Sequence, residues 1–229
     1  MSQIRLFTPP NVVTLANLTC GIVGIQQVFS GSLIVATYCI YFAALFDFLD
    51  GFVARQFKSS SELGKQLDSL SDVVSFGLLP GFLIFYLLGE YKWFSIIVPL
   101  FSALRLAKFN IDSRQKQGFI GVPTPINALF VSSLTFVFQG NVVVQEINYL
   151  LILLVLFSSI MLVVEMPLLD IKFEHFQLRE NAYRYLFLLL SLLFTVFLKW
   201  GCFIPIYFLY LLLSLIQNIT SKYKNEIHS

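Results

Sequence analysis

The sequence predicts an all-α, polytopic membrane protein with about eight transmembrane helices, and three observations predict it. Of 229 residues, 57% are hydrophobic and only 12% charged, with a mean hydropathy of +0.80, a balance outside that of soluble domains. Eight segments reach or approach the roughly 20 apolar residues needed to cross a ~30 Å hydrocarbon layer. The 15 basic residues also divide very unequally between alternate loops, as they do in membrane proteins of fixed orientation.

The first span is expected over 12–29, with Asn11 after Pro9 and Pro10 as its N-cap, because an asparagine side chain can accept from an unpaired amide at a helix start. Gly31-Ser32 separates it from a second span at 33–57, and Ser59-Ser60-Ser61 separates that from a third at 62–88. Gly89 precedes a fourth at 93–110, Gly118 to Gly121 a fifth at 124–139, and Gly140-Asn141 a sixth at 147–168. The last two are expected at 182–198 and 201–220. An even count puts both termini and alternate loops on one side. That side holds Arg5, Arg55, Lys58, Lys65, Arg105, Lys108, Arg114, Lys116, Lys172, Arg179, Arg184, Lys222 and Lys224, against Lys92 and Lys199 on the other. The expectation is an integral protein of the cell (inner) membrane with both termini cytoplasmic.

Residues 1–229 read as a single membrane domain, without internal repeat or low-complexity linker. The N-terminal MSQIRLFTPPN has no small-residue cleavage site, so a removable signal peptide is not expected. Cys20, Cys39 and Cys202 lie far apart inside apolar runs and read as small core residues. A formal net charge of +2, with no basic reading surface, excludes a nucleic-acid partner held by bulk electrostatics.

Against this background residues 45–77, LFDFLDGFVARQFKSSSELGKQLDSLSDVVSFG, are unusual. Asp47 and Asp50 stand i, i+3 on the second helix, and Asp68 and Asp72 i, i+4 on the third, so each pair shares a helix face. In an antiparallel hairpin, residues whose numbers share a total lie at one height. Asp47 with Asp72, and Asp50 with Asp68, have nearly the same total, which places the turn at the serine run. The four carboxylates can thus converge roughly 10 to 20 Å above that turn, at ~1.5 Å rise per residue. Ionised aspartates at membrane depth are expensive and repel one another, so a neutralising partner is required. Oxygen-only ligands favour hard divalent cations such as Mg2+, Mn2+ or Ca2+, and the lack of His or Cys argues against zinc. Two ions ~3.5–4 Å apart, held by shared carboxylates, are a recurrent arrangement for phosphoryl-type displacement. Solvated acids paired with Arg55, Lys58 and Lys65 would account for one or two of these carboxylates, but not for four at matched heights. Gly51, Ala54 and Gly64 line the same hairpin, where small residues either admit a phosphate close to the backbone or pack helices together.

Written out, residues 47–72 give D-x-x-D-G-x-x-A-R, eight residues, then G-x-x-x-D-x-x-x-D. With Asp47, Asp50, Gly51, Ala54, Arg55, Gly64, Asp68 and Asp72 all in place, this resembles the motif of the CDP-alcohol phosphatidyltransferase family. The resemblance implies a six-helix membrane core, usually dimeric, that transfers a substituted phosphate from a CDP-linked lipid to an alcohol and releases CMP. It implies that the first three aspartates bind metal, Mg2+ or Mn2+ and two ions, while Asp72 acts as general base beside them. PNVVTLANLTCG, SDVVSFGLLPG, RLAKFN and GVPTP resemble the type II phosphatidylserine synthases, which implies CDP-diacylglycerol and L-serine as substrates. Those enzymes typically carry arginine where this chain has Lys108, a point charge in place of a planar fork. The resemblance covers roughly residues 9–175. It divides the chain into a catalytic core at 1–175 and a two-helix extension with a cytoplasmic tail at 176–229.

Asn11, Thr14 and Asn17 open the first helix on the same side, and contact with the nucleotide, helix capping and interhelical hydrogen bonding are all open to them. Arg105, Lys108 and Asn110 are candidates for the amino-acid carboxylate and a nearby phosphate, or else anchor the helix end by charge alone. Glu165 has three readings: a partner for the serine ammonium, a partner for a basic residue, or a mark that the sixth helix ends earlier. Other acceptors (glycerol 3-phosphate, inositol phosphate or choline) fit the same motif. A divalent-cation transporter is the reading from another class, although transport sites usually lie at the midplane between repeats.

Overall fold

A computed structural model of the chain describes residues 6–57, 61–112, 120–138, 145–170, 177 and 181–227, the side chains of 145–147 and 221–227 excepted. The expected breaks at Ser59, Ser60, Gly118, Gly140 and Asn141, and the charges of Arg5, Lys58, Arg114, Lys116, Lys172, Arg179, Lys222 and Lys224, lie outside what is described. Among the described residues the protein is all-helical, with one isolated antiparallel bridge between Ile120 and Pro167.

Helix α1 spans Pro9–Phe29 and is capped by Thr8, whose side chain accepts from Asn11 N at 3.5 Å. The expected cap at Asn11 is therefore three residues late. Pro9 and Pro10 occupy the first turn, where a missing N–H forfeits no helical bond, and Asn11 stands inside the helix with its side-chain amide donating to Leu6 O at 2.8 Å. Helix α2, Leu33–Gln56, runs back along α1. Helix α3, Glu62–Asp72, starts at Ser61, whose hydroxyl accepts from Gly64 N at 3.0 Å.

The chain does not continue from α3 as a plain helix. A π-helical turn, Val73–Leu78, intervenes before α4, Leu79–Leu88. Pro80 has no N–H with which to bond Phe76 O in α geometry, and that carbonyl accepts instead from Ser102 Oγ at 3.5 Å. At Gly89 (φ 54) the chain leaves α4 through a 3-10 turn, Gly89–Ile96, and α5, Ile97–Ile111, folds back beside it. Gly77 meets Ser102 and Gly81 meets Pro99, which fixes the antiparallel register. Helices α6 (Thr124–Phe138) and α7 (Gln145–Val163) follow, then α8 (Ala182–Leu198), a 3-10 turn with Lys199 at φ 50, and α9 (Phe203–Ile227). The Tyr183 and Thr220 hydroxyls, 3.4 Å apart, set α8 against α9.

Among the described residues four stretches are long and apolar enough to cross a membrane: Pro9–Phe29, Leu33–Gln56, Glu62–Ile111 and Ala182–Thr220. The third doubles back at Gly89 and the fourth at Lys199. α6 and Asn148–Val163 are shorter apolar helices. Buried side chains such as Ile40, Phe76, Leu83, Phe130 and Leu134 fill the middle of the bundle, whereas α8 presents Leu189, Leu192, Val196 and Phe197 outward.

The expectation of a sixth helix reaching 168 is corrected. After Val163 the chain extends, with Met166 O accepting from Gly121 N at 3.1 Å. Pro167 disfavours helix at the residue before it. Gly121 has φ 74, and a Cβ there would lie 2.6 Å from Leu162 O, so only glycine allows this approach.

Candidate active site

Two small hydroxyl residues of α3 and the π-turn tie them to α1. Ser71 Oγ donates to Thr14 O at 3.2 Å and Ser75 Oγ to Asn17 O at 3.0 Å. Hydrogen bonds and small side chains of this kind hold helices together where lipid removes the hydrophobic drive between them. Helix α1 thus runs parallel to α3, and its inner face reaches both aspartate pairs. Thr14 Oγ1 donates to Asp50 Oδ2 at 2.6 Å, and Asn17 Nδ2 donates to Asp72 Oδ1 at 3.2 Å. One carboxylate from each helix of the hairpin is therefore held by a polar group of the first helix.

Oxygens of Asp47, Asp50 and Asp68 all lie within 4.8 Å of one another. Ligands on opposite sides of a divalent cation are about 4–5 Å apart, given metal–oxygen distances of roughly 2.0–2.6 Å. The three carboxylates are therefore close enough together to surround one hard cation. Asp68 Oδ1 is buried and accepts from no donor among the described residues, the condition expected of a cation ligand rather than of a structural acceptor. Asp72 stands outside that group of three. It is 6% exposed, held by Asn17, and within electrostatic reach of Asp47, Asp68 and Asp50.

Beside the acids opens a cleft of about 220 Å3 lined by Pro10, Asn11, Thr14, Asp50, Gly51, Ala54, Ser61, Gly64, Lys65 and Asp68. The two readings of the glycines separate here. A Cβ on Gly64 would sit 3.1 Å from Asn11 Oδ1 and 3.3 Å from Ser61 Oγ, so Gly64 packs the start of α1 against α3. A Cβ on Gly51 would meet only Arg55 Nη1, at 3.6 Å, so its bare face opens on the cleft. Arg55 itself is exposed and does not line the cleft. Lys65, offered by the sequence as a positive charge on the side of the termini and as a partner for solvated acids, does line it, and its Nζ donates to Asn110 O at 2.9 Å.

The three acceptor candidates part company. Arg105 is 7% exposed with its Nε unpartnered among the described residues, its guanidinium 4.9 Å from the Phe109 ring and within reach of Asp72 and Asp47. Lys108 Nζ bonds Glu165 Oε1 at 2.8 Å, and Asn110 Nδ2 donates to Ser69 Oγ at 2.8 Å. Glu165 thus satisfies two of its readings together: it pairs with a basic residue, and it lies beyond the true end of α7.

The cleft and its three cation-spaced carboxylates fall within the stretch that comparison with known proteins singles out. Residues 7–171 match the family model for CDP-alcohol phosphatidyltransferase. The chain is 37% identical over 130 residues to an archaetidylserine synthase of Methanothermobacter thermautotrophicus, covering 54% of this chain and 56% of that protein. It is 33% identical over 159 residues (63% of this chain, 75% of the relative) to a CDP-diacylglycerol–serine O-phosphatidyltransferase of Methanocaldococcus jannaschii. The enzyme of that name in Bacillus subtilis is 31% identical over 135 residues, 57% of this chain and 76% of the relative. The alignment to the first of these thus spans little more than half of its length. Spacing, geometry and match coincide on the hairpin of α2 and α3, and the chain belongs to the CDP-alcohol phosphatidyltransferase family.

Proposed function

We propose that the protein transfers the phosphatidyl group of CDP-diacylglycerol to the hydroxyl of L-serine, giving phosphatidylserine and CMP. The observation that carries the reaction class is the convergence of Asp47, Asp50 and Asp68 within 4.8 Å beside the α1–α2–α3 cleft. The choice of serine is supported by the relatives, whose names carry serine across archaeal and bacterial proteins.

In this reading the acyl chains lie in the bilayer and the CDP portion occupies the cleft, against the open face of Gly51 and beside Ala54, with Gly64 keeping α1 close. Asn11 and Thr14 border the nucleotide, and Arg55 offers charge at the exposed end of α2. Asp47, Asp50 and Asp68 would hold Mg2+ or Mn2+, with Asp72 beside them for a pair of ions. Such ions polarise phosphoryl oxygens and stabilise a phosphate leaving group. Asp72 takes the proton from the serine hydroxyl, the new O–P bond forms at the diacylglycerol phosphate, and the P–O bond to CMP breaks. Arg105, with Lys108 and Asn110 nearby, supplies positive charge for the serine carboxylate.

The same reading takes residues 1–175 as a six-helix catalytic core and 176–229 as an extension with a cytoplasmic tail. It has eight crossings in the inner membrane, termini and cleft facing the cytoplasm, and a homodimer as the working unit. The test is incubation of the purified protein with CDP-diacylglycerol and serine, glycerol 3-phosphate, inositol phosphate or choline, with products identified by mass. Phosphatidylserine and stoichiometric CMP are expected with serine alone. A different phospholipid would overturn the acceptor, and ion flux in proteoliposomes without CMP release would overturn the reaction class.

A further inference from the structure

The last two helices contribute no aspartate and no part of the cleft, yet α9 turns a polar stripe inward. Tyr210, Ser214 and Asn218 recur at every fourth residue and so share a helix face. Each bonds the backbone of the extended segment that follows α7. Tyr210 Oη donates to Leu169 O at 3.2 Å, Ser214 Oγ accepts from Leu169 N at 2.9 Å, and Asn218 Nδ2 donates to Pro167 O at 2.7 Å. Arg184 of α8 adds a bond from its Nε to Asp170 O at 2.7 Å. From the other side Gly121 N donates to Met166 O. Tyr210, Ser214 and Leu169 are all buried. A segment without helical bonds of its own thus has its backbone groups answered from both flanks, as buried backbone requires.

This segment borders a residue taken above to receive the serine carboxylate. Its Glu165 holds Lys108. Tyr210 stands within electrostatic reach of both Asp170 and Arg105, and Arg105 reaches Asp72. We propose that Tyr210 and Ser214 are positioning residues for the acceptor: by clamping residues 165–170 they hold Lys108 through Glu165 and keep Arg105 in place beside Asp72. The two-helix extension is then a working part of the enzyme. The choice of serine as the acceptor to be measured rests on the function proposed above.

The test uses the full-length protein in nanodiscs with Tyr210→Phe, Ser214→Ala and the conservative Ser214→Thr. Two readouts are taken: hydrogen exchange of peptides covering 164–170 without substrate, and separate KM and kcat values for serine and CDP-diacylglycerol. In Tyr210→Phe and Ser214→Ala, exchange over 164–170 is expected to quicken by about three- to tenfold, the ratio for one buried hydrogen bond. The serine KM rises by a similar factor, while kcat and the CDP-diacylglycerol KM stay within about twofold. Ser214→Thr restores both readouts. Unchanged exchange would remove the clamp. Quickened exchange with an unchanged serine KM, or with kcat falling for both substrates alike, would reduce α9 to a packing element and overturn the proposal. If the wild type uses another alcohol, the choice of serine fails by itself, and the same variants are scored on the KM of that alcohol.

Discussion

Gly51→Ala adds one methyl group to the face of α2 that lines the cleft, and its effects on folding and on substrate should have opposite signs. In a helix interior alanine is favoured over glycine by about 0.8–1.0 kcal/mol. The new Cβ meets only Arg55 Nη1, at the ordinary contact distance of 3.6 Å, so nothing offsets that gain. The same methyl fills on the order of 30 Å3, about the share of one water molecule in the liquid, of a cleft of about 220 Å3. Crowding a close-fitting site by one methylene typically costs about 1–3 kcal/mol, which corresponds to an increase of about 5- to 150-fold in the KM for CDP-diacylglycerol. Gly64→Ala is the control, because its Cβ would press on Asn11 Oδ1 and Ser61 Oγ and should lower stability instead. CMP release is followed against CDP-diacylglycerol concentration in mixed micelles, and melting by tryptophan fluorescence. A raised melting temperature with an unchanged KM would show that the nucleotide does not pass Gly51. A lowered melting temperature would show that Gly51 packs against another helix.

Thr14→Val keeps the shape of the side chain and removes the 2.6 Å bond to Asp50; losing a partner of a ligating carboxylate should weaken metal binding about 10- to 100-fold, read as a shift in the Mn2+ concentration that gives half-maximal rate. Asp72→Asn should abolish turnover while the Mn2+ bound at Asp47, Asp50 and Asp68 is retained in equilibrium dialysis, and near-wild-type CMP release would remove Asp72 as base. Exhaustive chelation should stop the reaction and readdition of Mg2+ or Mn2+ restore it; full activity in the chelated protein would contradict the carboxylate assignment.

The aspartate hairpin was legible because two regular helices and one turn suffice to set heights, and the fixed rise of 1.5 Å per residue does the rest. The neighbours of that hairpin obey longer-range conditions. The turn at Val73–Leu78 depends on Pro80 and on a hydroxyl from Ser102, and a proline in an apolar run announces a break without saying which geometry absorbs it. Thr8 is the cap because the two prolines after it are accommodated in the first turn of the helix, so the polar residue before the prolines, and not the one after, meets the free amides. Lys108 finds Glu165 across 57 positions, and the stripe on α9 meets Leu169 across 41 or more. Pairings of that span follow from how the bundle closes, and local periodicity contains no record of them.

The division of the acids between α2 and α3 also bears on how the chain enters the bilayer. Each aspartate at the centre of an isolated helix opposes membrane insertion by about 2.5–3.5 kcal/mol on translocon scales, so neither helix is a comfortable solitary passenger. Delivered as a hairpin, the two pairs can share a single cation or proton, with Thr14 and Asn17 of the helix already inserted ahead of them as donors. The hairpin and the helix ahead of it are thus interdependent from the moment of insertion: until α1 stands beside them, Asp50 and Asp72 lack the donors that answer them in the folded bundle.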